Sequence, residues 1–259
     1  MADGDLILET RDLAKEFGGF KAVGGVSIKV RRGTIHALIG PNGAGKTTVF
    51  NLLTKFIQPT RGTILLDGQD ITRAGPADIA RSGLVRSFQI SAVFPHMTVL
   101  ENVRIGLQRR LGNSFHFWRS QASLKALDGR AIELLESVGL AAQANLMTAD
   151  LPYGQKRALE LATTLALEPK VMLLDEPTQG MGHEDVARVT ALIKKVSAGR
   201  TVLMVEHNMS VVASIADTIT VMQRGTVIDE GSYEQVSRNP RVIEAYMGTS
   251  AAELARPAA

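Results

Sequence analysis

The chain of 259 residues has a net charge of +3, is 45% hydrophobic and 21% charged, and contains no cysteine. This composition is typical of a globular protein, and the lack of cysteine excludes disulfides, thiolate metal sites and a thiol nucleophile. No apolar run is long enough for a membrane span, and the acidic residues 1–5 lack the features of a secretory signal, so we expect a cytoplasmic protein. Without a long basic run, we expect no nucleic-acid partner.

Alternating strands are predicted at the start of the chain. Residues 6–10 and 26–30 alternate apolar and polar side chains on either side of a glycine-rich turn at 17–20. An aromatic ring in this turn could stack on a purine base, or it could fill the sheet, that is, pack against the strands as a buried side chain. For Phe17 both alternatives stay open, whereas we expect Phe20 to fill the sheet.

A phosphate-binding loop follows a strand predicted at 34–39 and precedes a helix predicted at 48–56. Its glycines would turn backbone N–H groups toward a polyphosphate, and Lys46 would reach the β- and γ-phosphates. The Thr47 hydroxyl would ligate Mg²⁺. A glycine-rich turn that merely caps a helix is the alternative. The nucleotide-binding residues predicted here are Gly40, Pro41, Asn42, Gly43, Ala44, Gly45, Lys46, Thr47 and Thr48.

The middle of the chain changes from strands to helices. Strands are predicted at 63–66 and 83–88, with a helix from Pro76 to Arg81 between them, and the region 91–154 reads as a helical lobe inserted into a sheet domain. Its helices are predicted at 99–110 and 124–138, and a further helix at 155–167 carries Ala158, Leu161, Ala162 and Leu165 on one face.

A basic segment lies within this helical region. Residues 104–130 contain six Lys or Arg against a single acid, Asp128, together with Phe115, Phe117 and Trp118. One interpretation is a solvated basic face over a small aromatic core. The other is a docking surface for a partner protein close to an anionic membrane, with Trp118 at the interface.

Acidic and histidine side chains follow two apolar strands predicted at 171–174 and 201–205. Ligands collect at the carboxyl ends of such strands, where Asp175 could hold the Mg²⁺ shell and Glu176 could polarise the attacking water. The alternative for both acids is capping of the next helix, predicted at 184–196. His207 could donate a hydrogen bond to a γ-phosphate, although a lone histidine is more often structural.

The last part of the chain is predicted to form strands at 215–222 and 226–229, a helix at 241–247 and a frayed tail at 251–259. His36 lies inside a predicted strand. The alternation of strands and helices around a phosphate loop places the chain in the α/β class.

The ordered motifs resemble those of the ATP-binding cassette ATPases over nearly the whole chain. These motifs are the phosphate loop at 40–47, Gln89, the Leu-Pro-Tyr-Gly-Gln stretch at 151–155, Asp175-Glu176 and His207. Three stretches, at 17–19, 151–155 and 205–209, are similar to the ATPase subunits of bacterial uptake transporters for branched-chain amino acids, whose relatives import urea, amides or aromatic acids.

The resemblance implies a single ATPase domain with a RecA-like P-loop sheet core, an inserted α-helical lobe and an antiparallel β subdomain. The core lobe would cover about 1–90 and 160–248, the helical lobe about 91–159, and a tail 249–259. Two such subunits would clamp two ATP molecules between them. Each phosphate loop would face the partner's signature, the family motif that corresponds here to the stretch at 151–155 and includes Tyr153, Gly154 and Gln155.

Further roles follow from the same resemblance. Phe17 would stack on adenine, Glu176 would be the base, His207 would hold the γ-phosphate, and Gln89 would contact Mg²⁺ or the water and report to the membrane subunit. Thr47, Gln89 and Asp175 would be the metal-binding residues. The partners would be transmembrane permease subunits, a second ATPase of this type and, indirectly, a periplasmic solute-binding protein, with the chain on the cytoplasmic face of the inner membrane.

Two departures separate the chain from the usual family pattern. Pro152 and Tyr153 replace the Ser and the first Gly of the signature, which removes a hydroxyl donor to the γ-phosphate. The stretch 179–182 replaces Ser-Ala-Leu-Asp and lacks its Asp. A soluble ATP-driven switch that is not coupled to transport is the alternative function, and a small-molecule P-loop kinase is a weaker one.

Overall fold

The computed structural model describes residues 5–87, 93–108 and 125–247. Within them the strands are β1 (Leu6–Phe17), β2 (Phe20–Val26), β3 (Lys29–Arg31), β4 (Ile35–Ile39), β5 (Arg61–Leu66), β6 (Gln69–Asp70), β7 (Leu84–Ser87), β8 (Val171–Asp175), β9 (Thr201–Val205), β10 (Thr218–Gln223) and β11 (Thr226–Gly231). The helices are α1 (Lys46–Leu53), α2 (Pro76–Ser82), α3 (Val99–Gln108), α4 (Asp128–Ser137), α5 (Tyr153–Ala166), α6 (His183–Val196), α7 (Met209–Ile215), α8 (Tyr233–Val236) and α9 (Pro240–Met247). None of the described helices is long and apolar enough to cross a membrane.

The chain divides into two compact units. The first comprises Met1–Arg86, Lys170–Gln179 and Ser197–Ala259, and the second comprises Ser87–Pro169 and Gly180–Val196. These boundaries differ from the predicted ones, since a break at 159 would cut α5 in two. Helix α6, which was predicted to belong to the core lobe, groups with the helical unit because it packs against α5.

The larger sheet of the first unit orders its strands β11-β10-β4-β9-β8-β7. Strands β10, β4, β9 and β8 are parallel neighbours, and every residue of β4, β8 and β9 is buried, as expected for apolar runs covered on both faces. The register places Leu38 beside Val205 and Val205 beside Asp175. The three segments that follow β4, β8 and β9 therefore lie at one edge of the sheet.

The second sheet of this unit has the order β2-β1-β5-β6, with β3 also paired to β1. Its pairs are antiparallel, and the β1–β2 hairpin brings Phe17 opposite Phe20. The prediction that Phe20 fills the sheet is wrong, because its side chain is 69% exposed at the hairpin end. Phe50, Leu52 and Leu53 of α1 are buried in a core that includes residues of both sheets.

Helices make up the second unit. Helix α3 packs against α4 and α5, and α5 also packs against α6. Gly106 of α3 allows a close approach to α5, since a Cβ there would lie 2.8 Å from that of Ala166. The apolar face predicted on α5 is confirmed, because Ala158, Leu161, Ala162 and Leu165 are all buried.

Helix α7 was not predicted from the sequence, and the strand that follows it begins later than predicted. Ile215 ends α7, and β10 begins only at Thr218. Asn208 caps the helix, its side chain accepting hydrogen bonds from the backbone N–H groups of Ser210 and Val211. A cap residue before a short apolar stretch was the available signal, but seven residues show too little periodicity to distinguish helix from strand.

His36 is a buried titratable side chain that should make the stability of the fold depend on pH. Its ring is buried in β4, its Nε2 lies 2.7 Å from the Thr220 hydroxyl, and burial lowers the pKa of His36 to about 4. In the unfolded chain His36 binds a proton near pH 6.5, whereas in the folded chain it stays neutral down to about pH 4. The contribution of the neutral histidine to the free energy of unfolding is therefore complete above pH 6.5 and is lost as the pH falls toward 4. Between pH 7 and 4.5 this loss amounts to about 2 kcal/mol.

Denaturant unfolding of the wild type and His36→Gln at both pH values measures this loss. Glutamine can still pair with Thr220 but does not titrate. The wild type should lose more stability than the variant, and equal losses in the two proteins would contradict a buried neutral histidine.

Candidate functional site

The phosphate loop connects β4 to α1 through three glycines with positive φ. Gly40, Gly43 and Gly45 have φ of 150, 78 and 100°. A Cβ on Gly40 would lie 2.2 Å from the backbone oxygen of Met222, so no other residue fits there without a backbone shift. The Gly225 N–H donates to the Ala44 oxygen at 2.9 Å. The neighbouring β10–β11 turn thus holds the loop in place.

Lys46 lies within this loop. Its ammonium donates to the backbone oxygens of Gly40 at 2.6 Å and Pro41 at 3.1 Å, closing the loop around its own side chain. Burial lowers the pKa of Lys46, and the carboxylates of Glu176 and Asp175 act in the opposite direction. The ammonium is therefore held close to the position where phosphate oxygens would replace the two carbonyls.

The remaining loop residues lie around this lysine. Thr47 is exposed in the first turn of α1, and Thr48 is half-buried. Asn42 and Gly43 are exposed at the tip of the loop, whereas Ala44 is buried. The exposed Thr47 hydroxyl and the N-terminal end of α1 are accessible to an anionic ligand and its counter-ion.

Asp175 and Glu176 lie at the carboxyl end of β8, as predicted. Asp175 is buried, and its carboxylate accepts a hydrogen bond from the guanidinium of Arg86. Glu176 adopts a φ of 45°, which is uncommon for a residue with a side chain, and its N–H donates to the Val205 oxygen at 2.9 Å. The hydrogen bond ties the backbone of Glu176 to the end of the neighbouring strand β9.

His207 lies near Glu176 at the end of β9. Its Nδ1 is 3.9 Å from a Glu176 carboxylate oxygen, and the side chain is 51% exposed. The preceding Glu206 is fully buried and accepts hydrogen bonds from the backbone N–H groups of His207 at 2.8 Å and Asn208 at 3.3 Å. Its other oxygen accepts from the hydroxyl and N–H of Thr178. Glu206 therefore joins the segment after β8 to the segment after β9.

A magnesium site fits the donor set at this sheet edge. No group of three or more His, Cys, Asp or Glu side chains able to hold a metal occurs among the described residues. Mg²⁺ does not require such a group, because it is commonly bound by one or two protein oxygens, water and substrate phosphates. The Asp175 carboxylate and the Thr47 hydroxyl are hard oxygen donors of that kind.

The signature residues begin helix α5 in the second unit. The Tyr153 hydroxyl accepts a hydrogen bond from Arg157 at 3.1 Å, and the guanidinium carbon of Arg157 lies 5.5 Å from the centre of its ring. Arg157 also pairs with the buried Glu160 at 2.7 Å. A Cβ on Gly154 would lie 3.1 Å from an Asp185 carboxylate oxygen, so the start of α5 is closely approached by α6.

The remaining predictions concern Phe17, Gln89 and the basic segment at 104–130. Phe17 is 46% exposed, with the Lys15 ammonium 5.0 Å from its ring centre, so its ring does not fill the sheet. Gln89 lies outside the described residues, as do Phe115, Phe117 and Trp118. In the described part of the basic segment, Arg104 pairs with Asp128 and Arg130 with Glu133. These two cations are therefore partly neutralised.

Family profiles match most of this chain. The ABC transporter profile matches residues 23–179, and a profile described as branched-chain amino acid ATP-binding cassette transporter matches 227–252. The chain belongs to the ATP-binding proteins of ABC transporters. Proteins of this family are ATPases coupled to transport, so the ATP-binding cassette resemblance and the ATPase activity predicted from it are confirmed.

Individual relatives cover nearly the full length of this ABC protein. BraF of Pseudomonas aeruginosa, a high-affinity branched-chain amino acid transport ATP-binding protein, is 42% identical over 93% of this chain and 98% of its own. LivG of Escherichia coli K12, which has the same description, is 40% identical with the same coverage.

A solved structure shares the fold. MJ1267, an ATP-binding cassette of an ABC transporter solved in its ADP conformation, has a TM-score of 0.82 and 33% identity, covering 94% of this chain and 99% of its own. The predicted fold class, a P-loop sheet core with an α-helical lobe and an antiparallel β subdomain, is confirmed.

Sequence reasoning missed three residues of this site. Arg86 was read only as part of a short strand, and Asn51 only as part of a helix, although the two are joined by a hydrogen bond of 2.7 Å. Glu206 was noticed only as a neighbour of His207. A charged residue directly after a fully apolar strand was the available signal for Glu206, whereas the contacts of Arg86 join segments distant in sequence.

Proposed function

We propose that this chain is the ATP-binding and ATP-hydrolysing subunit of an importer for branched-chain amino acids or related small solutes, acting through separate transmembrane subunits. The observation that carries the proposal is the near full-length similarity to BraF and LivG, together with the match of residues 227–252 to the branched-chain amino acid profile. The chain would act at the cytoplasmic face of the membrane.

The residues at the sheet edge have distinct roles in ATP hydrolysis. Lys46 exchanges its bonds to the Gly40 and Pro41 oxygens for bonds to phosphate, so the loop is already folded around the ammonium before ATP arrives. Glu176 accepts a proton from the attacking water, and His207 donates a hydrogen bond to the γ-phosphate. Phe17 offers a ring face on which adenine stacks.

Thr47 and Asp175 would hold Mg²⁺, and Gln89 would contact the metal or the water. The bound ion would supply charge neutralisation to the phosphates. The chain's own contribution is to place a hydroxyl and a carboxylate at the ends of α1 and β8, where the phosphate loop presents its N–H groups.

Two such ATPase subunits, identical or related, would enclose two ATP molecules. Each would present Tyr153, Gly154 and Gln155 to the nucleotide bound by its partner. The start of α5 suits this role, because a helix N-terminus directs N–H groups and a positive partial charge toward an anion. Arg157, one turn further along the same helix, is paired with Glu160 and donates to the Tyr153 hydroxyl, so it holds the tyrosine side chain in place.

A patch of exposed apolar side chains in the second unit suits the permease. Phe94, Leu146 and Met147 are 51%, 49% and 39% exposed. Their backbone segments are adjacent, since Thr98 forms a β-bridge with Met147, the Val99 N–H donates to the Leu146 oxygen at 3.0 Å, and the Met97 N–H donates to the Phe94 oxygen at 3.2 Å. This apolar patch belongs to the helical unit, which also contains the basic segment 104–130, for which one interpretation above is a docking surface for a partner protein, and exposed apolar clusters commonly mark protein interfaces.

Transport in reconstituted vesicles tests the proposal. The chain is incorporated with the permease subunits and any ATPase encoded beside it, and uptake of labelled leucine is measured with a solute-binding protein present. Uptake should require ATP and should disappear with Lys46→Ala. Purified complexes that hydrolyse ATP but move neither branched-chain amino acids nor amides, urea or aromatic acids would contradict the importer assignment.

Substitution of the apolar patch is expected to release the chain from its permease. The variant Phe94→Ser with Leu146→Ser should lower co-purification with the permease at least about tenfold, because buried aromatic and aliphatic anchors contribute most of an interface's free energy. Phe56→Ser is the matched control, since Phe56 is 58% exposed but lies in the first unit. An equal loss in the control, or none in the patch variant, would show that the permease docks elsewhere.

A further inference from the structure

Arg86 forms a buried ion pair with the carboxylate expected to hold Mg²⁺. The side chains of Arg86 and Asp175 are only 10% and 3% exposed. By contrast, Arg81 and Asp78 of α2 form a surface pair with both side chains more than 60% exposed. A surface pair contributes little, whereas breaking a buried pair leaves an uncompensated charge.

Two further contacts fix the guanidinium in place. Its second terminal nitrogen donates to the Asn51 side-chain oxygen at 2.7 Å, and its central carbon lies 5.7 Å from the centre of the Phe50 ring. Phe50 and Asn51 belong to α1, the helix that begins with Lys46 and Thr47. Arg86 thus connects the phosphate-loop helix to the end of β8.

We propose that Arg86 is a built-in counter-ion for Asp175, which neutralises this carboxylate before the metal arrives and competes with Mg²⁺ for it. The inference rests on the proposed function, since it concerns the same Mg²⁺–nucleotide site. In this role Arg86 acts on the site through Asp175 and requires no contact to the nucleotide. Through this competition, Arg86 sets the Mg²⁺ concentration at which the site fills.

Electrostatics explains why the two cations compete. A guanidinium bonded to Asp175 lies within a few ångströms of any Mg²⁺ on the same carboxylate, and like charges that close repel each other strongly in a partly buried site. Removing the arginine charge leaves the buried Asp175 without its directly bonded cation, and the Lys46 ammonium then compensates the carboxylate only through space. The carboxylate then binds Mg²⁺ more readily, but the metal-free protein is less stable.

The alternative is that Arg86 merely orients Asp175 for the metal. The two mechanisms predict opposite results. If Arg86 competes, its removal lowers the Mg²⁺ concentration needed, whereas if it only orients the carboxylate, its removal raises that concentration.

The test measures binding of fluorescent ribose-labelled ADP to wild type, Arg86→Met and Arg81→Met while Mg²⁺ is raised from zero in chelator. The half-effect concentration is the Mg²⁺ concentration that gives half of the Mg²⁺-dependent increase in ADP binding. For Arg86→Met it should fall about tenfold, the change that ~1.4 kcal/mol of lost repulsion produces. Arg81→Met should match the wild type. An unchanged or increased half-effect concentration in Arg86→Met would overturn the inference.

Thermal unfolding of the same proteins gives a readout independent of activity. Without metal, Arg86→Met should unfold several degrees below the wild type, by about 4 °C or more. Mg²⁺ with ADP should restore a larger part of this difference than ADP in chelator does. A stability loss that Mg²⁺ does not reduce would contradict the counter-ion role.

Two milder substitutions keep the inference testable if Arg86→Met does not fold. Arg86→Lys retains the charge, so its half-effect concentration should stay close to that of the wild type. Asn51→Ala loosens the guanidinium and should lower that concentration about two- to threefold, and an increase would overturn the inference. A wild type that binds no labelled ADP would instead overturn the proposed function, and the inference with it.

Discussion

Glu176→Gln is expected to lower ATP hydrolysis at least about a hundredfold while ATP binding stays close to that of the wild type. Glu176 directly follows Asp175, the carboxylate proposed to hold Mg²⁺, and its φ of 45° and its N–H bond to the Val205 oxygen fix its backbone at the sheet edge. The neutral amide keeps the shape of the side chain but cannot accept the proton of the attacking water. Phosphate release measures the loss, and equilibrium binding of labelled ATP checks that the site remains intact.

The same variant tests the clamp. Without the base, two subunits should remain closed on ATP, so light scattering with ATP and Mg²⁺ should detect a dimer. A dimer of this chain alone would favour a symmetric transporter, and a dimer only with a neighbouring ATPase would favour two different subunits. A monomer in both mixtures would contradict the clamp.

A matched control accompanies these measurements. Glu184→Gln makes the same chemical change at a side chain that is 90% exposed, and it should hydrolyse ATP as the wild type does. If Glu176→Gln were equally active, another residue would have to be the base, and the role assigned to Glu176 would be wrong.

The sheet edge could be predicted because its signals are local in sequence. Strands β4, β8 and β9 are short, mostly apolar runs, and their carboxyl ends lead into the phosphate loop, the Asp175-Glu176 pair and Glu206-His207, respectively. Parallel pairing then brings these segments together without further information. The glycines of the phosphate loop could be predicted for the same reason, since the positive φ of Gly43 and Gly45 follows from the motif itself.

Contacts between distant segments could not be predicted in this way. Arg86 pairs with a carboxylate 89 positions away, and no periodicity in β7 indicates such a partner. The grouping of α6 with α5 is a second example, because it depends on packing and not on composition. Phe20 was misplaced because apolar character alone does not show on which side of a hairpin a ring lies.

Glu206→Ala is expected to cost about 3 kcal/mol of the free energy of unfolding or more. The carboxylate is fully buried, and it accepts hydrogen bonds from the N–H and hydroxyl of Thr178 and from the N–H groups of His207 and Asn208. Alanine removes the acceptor for all of these donors and leaves a cavity. Denaturant unfolding of the wild type and the variant measures the loss.

Glu133→Ala provides the control, because the Glu133 carboxylate is 62% exposed and pairs only at the surface of α4. Its stability should stay within about 0.5 kcal/mol of the wild type. If Glu206→Ala were as stable as this control, the buried network would not hold the two segments together.

The role of Glu206 in positioning can be separated from its role in stability. Glu206 accepts a hydrogen bond from the backbone N–H of His207, whereas the Lys46 ammonium donates to the Gly40 and Pro41 oxygens of its own loop. In a variant that remains folded at low temperature, kcat should therefore fall about tenfold or more with little change in the affinity for ATP, since the lost alignment acts on the reacting phosphate. Glu206→Gln, which keeps acceptor capacity on one oxygen, should recover part of both the stability and kcat. A variant that loses stability but keeps its full kcat would show that the network is structural and that His207 is aligned by other contacts.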